Sequence, residues 1–438
     1  MTLIRRICLA DLSDRERTDL LRRSPLAGSV RDDARAIVEA IRLGGDQALR
    51  EANERLGGGL PRRSGRAAPL RLEQRQLKRA QGRLPAPFRV ALDTMIDHVQ
   101  AFHQVQVPER EQWVVVAPGI DVGRLWRPIR RVAAYVPGGA AAYPSSLVMA
   151  AVPARLAGVP ELVVASPADR DERVSAVLAG TAGVLGVDEF LVMGGAQAVA
   201  ALAFGTETIR PVDKIVGPGN AWVTAAKLEV VDRVGIDLPA GPSEVMILAD
   251  DTADPRHVAA DLLSQAEHGP DSAAVLVTTS RDLAQAVERE VDRQLPILPR
   301  QEHLRASLGS AGLIVEAANR ADAVAFVNAY APEHLSLVAD DEPGLLATID
   351  HAGSIFLGAY APESAGDYAT GSNHILPTGG LARAYGALGV EAFGTWVQVQ
   401  RVSRDGLAGL RETVGVLARA EGLEAHRRAV EIRFEAAP

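Results

Sequence analysis

The chain is poor in cysteine, with one residue, Cys8, among 438. A single thiol cannot close an intramolecular disulfide or build a cysteine-rich structural zinc site. Cys8 is also far in sequence from every polar cluster described below, so a cysteine nucleophile has little support and a small apolar packing role fits better. Excess positive charge is missing as well. The net charge of −8 and pI of about 5.7 disfavour a nucleic-acid partner or a polybasic membrane contact. No apolar stretch is long and uninterrupted enough to span a bilayer. The opening MTLIRRICLADLSDRER carries charges where a secretory signal needs an apolar run. No G-x-G-x-x-G stands in the right strand-to-helix context, so spacing alone signals nucleotide binding only weakly. A cytoplasmic enzyme with no membrane and no nucleic-acid partner is the expectation.

Hydrophobic residues make up 47% of the chain and charged ones 23%, an ordinary globular balance. The length is large for one core and suggests two larger domains with smaller pieces. Residues 30–56 read as helix, GGGLPRRSGRAAPLR as loop, and QLKRAQGRL and VALDTMIDHVQAFHQVQ as helix again. A more polar, β-leaning stretch leads to Arg131. From Val132 on, short apolar runs (VAAYV, ELVVAS, EFLVM, DKIVG) alternate with helix-like segments, and a second series follows with VMILA, AVLVTT, GLIVEA, HLSLVA and SIFLG. Continuous apolar strands alternating with helices predict parallel sheets covered on both faces. The fold class expected is α/β, with two Rossmann-like domains and small N-terminal and C-terminal helical segments. The stretch from about 389 reads as mainly helical and charged, suited to an arm that packs on a partner. The strand-end glycines Gly138, Gly139, Gly194, Gly195, Gly217 and Gly219 either let a phosphate approach a helix start or simply make turns.

Four polar clusters place metal-capable or proton-handling groups at element ends. Gln265 and His268, three apart near the end of DLLSQAEH, share a helix face and could bind one cation; a capped helix C-terminus is the alternative. Glu333 and His334 open the strand HLSLVA, suited to acid–base work or to an exposed turn. Asp367 and His374 lie in the glycine-bounded segment GDYATGSNH, a site loop or a solvated one. Glu421 and His426 lie near the C-terminus, where a plain surface helix is the alternative. His98, His103, His257, His303 and His351 lie outside these clusters.

Taken in order, the blocks YVPGGAAAYPSSLVMAAVPARLAGV, GGAQAVAALAFGT, KIVGPGNAWVTAAK, LPAGPSEVMILAD, DLLSQAEHG, NAYAPEHLSLV, GDYATGSNHILPTGG and AEGLEAHRRAV resemble those of histidinol dehydrogenases. The resemblance runs from about residue 135 to 430. It implies one zinc per subunit held by Gln265, His268, Asp367 and His426, with His426 and Glu421 coming from the partner of an intertwined homodimer with shared active sites. It implies NAD+ contacts at Tyr135, Gln197 and Asn220, and substrate contacts at Ser243, Gln265, His268, His334, Asp367, His374, Glu421 and His426. Glu333 and His334 match the catalytic pair. The implied reaction takes L-histidinol to L-histidine through a bound aldehyde with two NAD+, the last steps of histidine biosynthesis. The implied division is a segment 1–29, a metal and catalytic domain 30–133 plus 243–388, an NAD-binding domain 134–242, and an arm 389–438. Trp222 stands where tyrosine is usual, Ser146 where threonine is common, and VEAFGTWVQVQRVSRDG departs from the family pattern, which bears on the packing of the arm. The nearest rival reading is a related NAD-linked dehydrogenase of another small polar alcohol, such as a sulfonated diol.

Overall fold

A computed structural model describes residues 3–23, 28–61, 67–138, 142–169, 171 and 173–436. Among these residues fifteen strands form three sheets. The first comprises β2 (Arg71–Leu72), β5 (Arg131–Tyr135), β6 (Glu161–Ser166), β7 (Glu189–Val192), β8 (Lys214–Val216) and β9 (Gly235–Ile236), in the order β2-β7-β6-β5-β8-β9. All neighbours are parallel except β2 on β7. Strands β5, β6 and β7 are buried almost throughout, as their unbroken apolar runs require of a sheet covered on both faces. The strand order reverses between β5 and β8, which opens a crevice at their carboxyl ends.

The second sheet is fully parallel and runs β1-β12-β11-β10-β13-β14. Its members are β1 (Arg5–Cys8), β10 (Glu244–Ala249), β11 (Ala273–Thr278), β12 (Gly312–Glu316), β13 (His334–Val338) and β14 (Ser354–Leu357). The two-sheet α/β architecture matches the expected class. The N-terminal third is distributed differently from the expectation. Residues 5–8 are a strand on the edge of the second sheet rather than part of a helical segment. The helix Gly28–Leu56 covers the first sheet, not the second: Ala34, Val38, Ile41, Leu49 and Ala52 pack with Ala133, Val163, Leu191 and Val199 in one core. Their spacing of three to four, stretched once at the break in the helix, makes an apolar stripe, but a stripe does not say which sheet it will meet. At that break Gly45 adopts φ +53°, and the Glu207 carboxylate accepts the Asp46 N–H at 2.6 Å.

Residues 107–128 and 394–438 form a second compact unit. It holds the antiparallel sheet β15-β4-β3, made of β3 (Glu111–Ala117), β4 (Ile120–Pro128) and β15 (Gly394–Val402), and the helices Arg404–Ala420 and Glu424–Glu431. The C-terminal stretch is mainly helical, as expected, but it also holds a strand that was not: 394–402 is a nine-residue strand paired along its length with β4. Its threonine, tryptophan and three valines favour a pleated surface. Trp396 sits opposite Trp126 with ring centroids 5.5 Å apart, edge to face. No helix among the described residues is long and apolar enough to cross a membrane.

Candidate active site

The crevice of the first sheet leads into a cavity of about 770 Å³, within the range of small-molecule sites. Tyr135 ends β5, and its hydroxyl accepts the Gly195 N–H at 3.1 Å. Gln197, on the helix Gly195–Phe204, is buried and donates its Nε2 to Asn53 Oδ1 and to the Gly57 carbonyl, both at 3.3 Å. Asn220 caps the helix Ala221–Glu229, its Oδ1 accepting from the N–H groups of Trp222 (3.1 Å) and Val223 (3.2 Å). All three residues line the cavity, together with Gly138, Gly194, Gly195 and Trp222. Gly139 lies outside the described residues. Two glycines are there for close approach. A Cβ on Gly217, at φ +110°, would stand 2.1 Å from the Tyr135 carbonyl oxygen, and one on Gly194 would stand 2.6 Å from Pro167. Gly57 and Gly58, read from sequence only as loop, form a further wall, with the Gly58 carbonyl accepting from Ala168 N–H at 2.9 Å.

A second cavity, of about 320 Å³, adjoins the same turn. Asn220 and Gly219 line it, as do Ser243, His268, Glu333, His334, Asp367 and His374. Two of these residues stand at the amino ends of strands: Ser243 precedes β10, and His334 begins β13 beside Val245. The backbone of one residue, Glu244, organises the Glu333–His334 pair. The Glu244 N–H donates to Glu333 Oε2 at 2.7 Å, and the Glu244 carbonyl lies 3.1 Å from His334 Nδ1. A carbonyl can only accept, so Nδ1 carries the proton and Nε2 keeps its lone pair. Burial pushes His334 down to about 3 and Glu333 well above the usual carboxylate range. The imidazole is therefore neutral, with the lone pair of Nε2 free. The Glu244 side chain is tied in turn to Gly379 N–H (3.1 Å) and Arg23 (2.5 Å). Sequence reading stopped at Ser243 and passed over Glu244, because its role is carried by a backbone unit.

Beside the pair lies a set of groups with metal-binding chemistry. One donor atom from each of His268, Glu363 and Asp367 lies within 4.8 Å of the other two. His268 Nε2 is 3.7 Å from Asp367 Oδ2, and burial raises the Asp367 carboxyl to about 6 while His268 draws it down. Gln265 is fully buried, and neither its Oε1 nor its Nε2 has a hydrogen-bond partner. Both Glu363 oxygens are likewise buried without one. Buried acceptors without a protein partner, beside an imidazole and a carboxylate, are groups that a bound cation would satisfy. Glu363 went unnoticed in the sequence because it precedes the GDY block and opens a short helix, Glu363–Tyr368. The helix Pro255–Ala266 ends before His268, so Gln265 sits in its last turn and His268 just beyond, its N–H bonded to the Gln265 carbonyl at 3.2 Å. Glu421 and His426 belong to the second compact unit, where both are exposed.

His374 is held from both sides: its Nδ1 donates to the Asp367 carbonyl at 3.0 Å, and its Nε2 lies 3.2 Å from Ser146 Oγ. The preceding Asn373 donates to the Met149 carbonyl at 2.8 Å and approaches His103 Nε2 at 3.4 Å. His103, unremarkable in sequence, is fully buried, and its Nδ1 donates to the Val99 carbonyl at 2.8 Å. Burial lowers its pKa. The unfolded chain then binds a proton near pH 6.5 that the folded chain refuses, so this contribution is complete above that pH and is lost as pH falls toward the lower folded value. Unfolding free energy from urea titrations at pH 7.5 and 5.5 should drop more in the wild type than in His103→Gln. Equal drops would remove His103 from the account.

A cavity at the carboxyl edge of one mainly parallel sheet opens beside a buried Glu–His pair, an arrangement suited to an oxidoreductase. The chain belongs to the histidinol dehydrogenase family, whose profile matches residues 21–434. It is 45% identical over 419 residues to the histidinol dehydrogenase of Methanothermobacter thermautotrophicus, covering 95% of each chain. With that of Natronomonas pharaonis it shares 44% over 428 residues, covering 98% of this chain and 99% of the relative. The crystal structure of histidinol dehydrogenase from Elizabethkingia anophelis superposes with a TM-score of 0.91 at 34% identity, covering 99% of this chain and 98% of that one.

Proposed function

We propose that the protein oxidises L-histidinol to L-histidine in two steps, with zinc and two NAD+, as the closing reaction of histidine biosynthesis in the cytoplasm. The observation that carries this is the Glu333–His334 pair, bracketed by the Glu244 backbone and facing a cavity that Asn220 shares with the larger one. His334 takes the alcohol proton as the carbon loses hydride. Glu333 takes a proton from the water that adds to the resulting aldehyde, and His334 accepts the second alcohol proton from the hydrate. Bound NAD+, against Tyr135, Gln197 and Asn220, supplies the hydride acceptor. Zinc, held by Gln265, His268, Asp367 and His426 of a partner copy, supplies a fixed template for the imidazole and amine of the substrate. Ser243, His374 and Glu421 hold the rest of the substrate.

In this reading the protein works as a homodimer, because Glu421 and His426 are exposed and are assigned to the neighbouring subunit's site. The alternative, another small polar alcohol such as a sulfonated diol, keeps the same zinc and Glu–His pair. The test is stoichiometry. Zinc-loaded protein should reduce about two NAD+ per L-histidinol consumed, one for each hydride. A single NADH with aldehyde accumulating would break the role given to Glu333, and turnover of a different alcohol with none of histidinol would favour the alternative.

A further inference from the structure

Two charged side chains meet beneath the turn that follows β8. Lys227 Nζ lies 2.7 Å from Asp237 Oδ1, and the two side chains are 3% and 1% exposed. Each also binds the backbone of Gly217: its N–H donates to Asp237 Oδ2 at 2.6 Å, and its carbonyl accepts from Lys227 Nζ at 2.6 Å. Lys214, the other cation near Asp237, donates to the Ala392 carbonyl at 2.7 Å. A buried ion pair is a poor way to stabilise a fold. Desolvation offsets most of the attraction, and apolar residues of similar volume often serve as well or better. What an apolar pair cannot do is hold an N–H and a carbonyl of one residue in fixed directions.

Gly217 needs such holding. Its φ of +110° and the 2.1 Å clearance to the Tyr135 carbonyl oxygen restrict the position to glycine, and glycine gives the backbone its greatest freedom. The turn continues through Pro218 and Gly219 to Asn220, which borders both cavities. Asn220 then caps the helix Ala221–Glu229, and that helix carries Lys227 back to Gly217. The circuit is closed: turn, helix, lysine, turn. We propose that the buried Lys227–Asp237 pair is a positioning device for the Gly217–Asn220 turn, setting how the dinucleotide is presented to Glu333 and His334. This rests on the reading of the larger cavity as the NAD+ site.

Two double variants test it, each removing both charges: Lys227→Met/Asp237→Leu and Lys227→Met/Asp237→Asn. The second keeps an acceptor for the Gly217 N–H. Both should melt above the single Lys227→Met protein, which strands a buried carboxylate. The leucine double should raise KM for NAD+ at least about tenfold, and the asparagine double by less. L-Histidinol binding, measured by calorimetry without NAD+, should stay within about twofold of wild type. Folded doubles with wild-type KM for NAD+ would overturn the proposal, as would an equal loss of affinity for both substrates. If the leucine double does not fold, the asparagine double decides alone. Failure of the wild type to bind or reduce NAD+ would bring down the cavity assignment, and the proposal with it, without any variant being needed.

Discussion

Glu333→Gln will oxidise L-histidinol to the aldehyde at a rate within about tenfold of wild type and then stall, with aldehyde oxidation slowed by roughly 10²–10⁴. The substitution is nearly isosteric, and its amide oxygen can still accept the Glu244 N–H that now bonds Glu333 Oε2 at 2.7 Å. The site geometry is therefore kept while the carboxylate that activates water is gone. His334→Asn will behave differently. Its side-chain amide can still donate to the Glu244 carbonyl, yet no base remains for either alcohol proton, so both oxidations should slow by a similar factor of about 10²–10⁴. Single-turnover assays started separately from L-histidinol and from the aldehyde resolve the two steps. Equal losses in both steps for Glu333→Gln would end the division of labour.

Removing the metal should separate stability from activity at Gln265. This carboxamide is buried and neither polar atom has a protein hydrogen-bond partner, so with no metal bound it should cost about 1–3 kcal/mol. Gln265→Met replaces it with an apolar chain of similar length. The metal-free variant should therefore melt at or above the temperature of the metal-free wild type, and it should show no activity. Zinc at about a thousandfold over its Kd should stabilise the wild type by about 4 kcal/mol and the variant by far less. Scanning calorimetry with and without a chelator measures all four states. A variant that gains as much from zinc as the wild type would take Gln265 out of the ligand set. Mixed Gln265→Ala and His426→Ala proteins, given time to exchange subunits, should regain activity through one intact shared site. No recovery despite exchange would place His426 outside the partner's site.

Strand interiors were legible because an unbroken run such as ELVVAS is dry on both faces and has few alternatives. His334 was legible as the first residue of its strand. Partnership between distant segments was not. The stripe Ala34, Val38, Ile41 says that a helix has a buried face, but only the folded chain shows that it covers Ala133 and Val163. GTWVQVQRV has strong strand formers, yet the charged helices around it hid a strand that only its pairing with β4 defines. The missed site residues share one cause. Glu244 acts through its backbone, Gly57 and Gly58 through the absence of a side chain, and Glu363 through neighbours far away in sequence. None of these is visible as a cluster of reactive letters. The blocks that resembled a known family located Tyr135, Gln265 and Asp367, where spacing alone had left a cap or a loop as the alternative.

The meeting of a carboxyl edge with an amino edge has an electrical consequence. Helices that follow the strands of the first sheet begin at its carboxyl edge, so those starting at Gly195 and Ala221 turn their N-termini toward the larger cavity. Helices that precede β11 and β13 finish at the amino edge of the second sheet, so those ending at Ala266 and Tyr330 leave their C-termini near His268 and Glu333. Each N-terminus carries roughly half a positive charge and each C-terminus roughly half a negative one. One side of the site thus suits a phosphate-bearing molecule and the other suits a cation or an amine. The backbone alone, before any ionisable side chain is counted, gives the two sides of the site opposite signs.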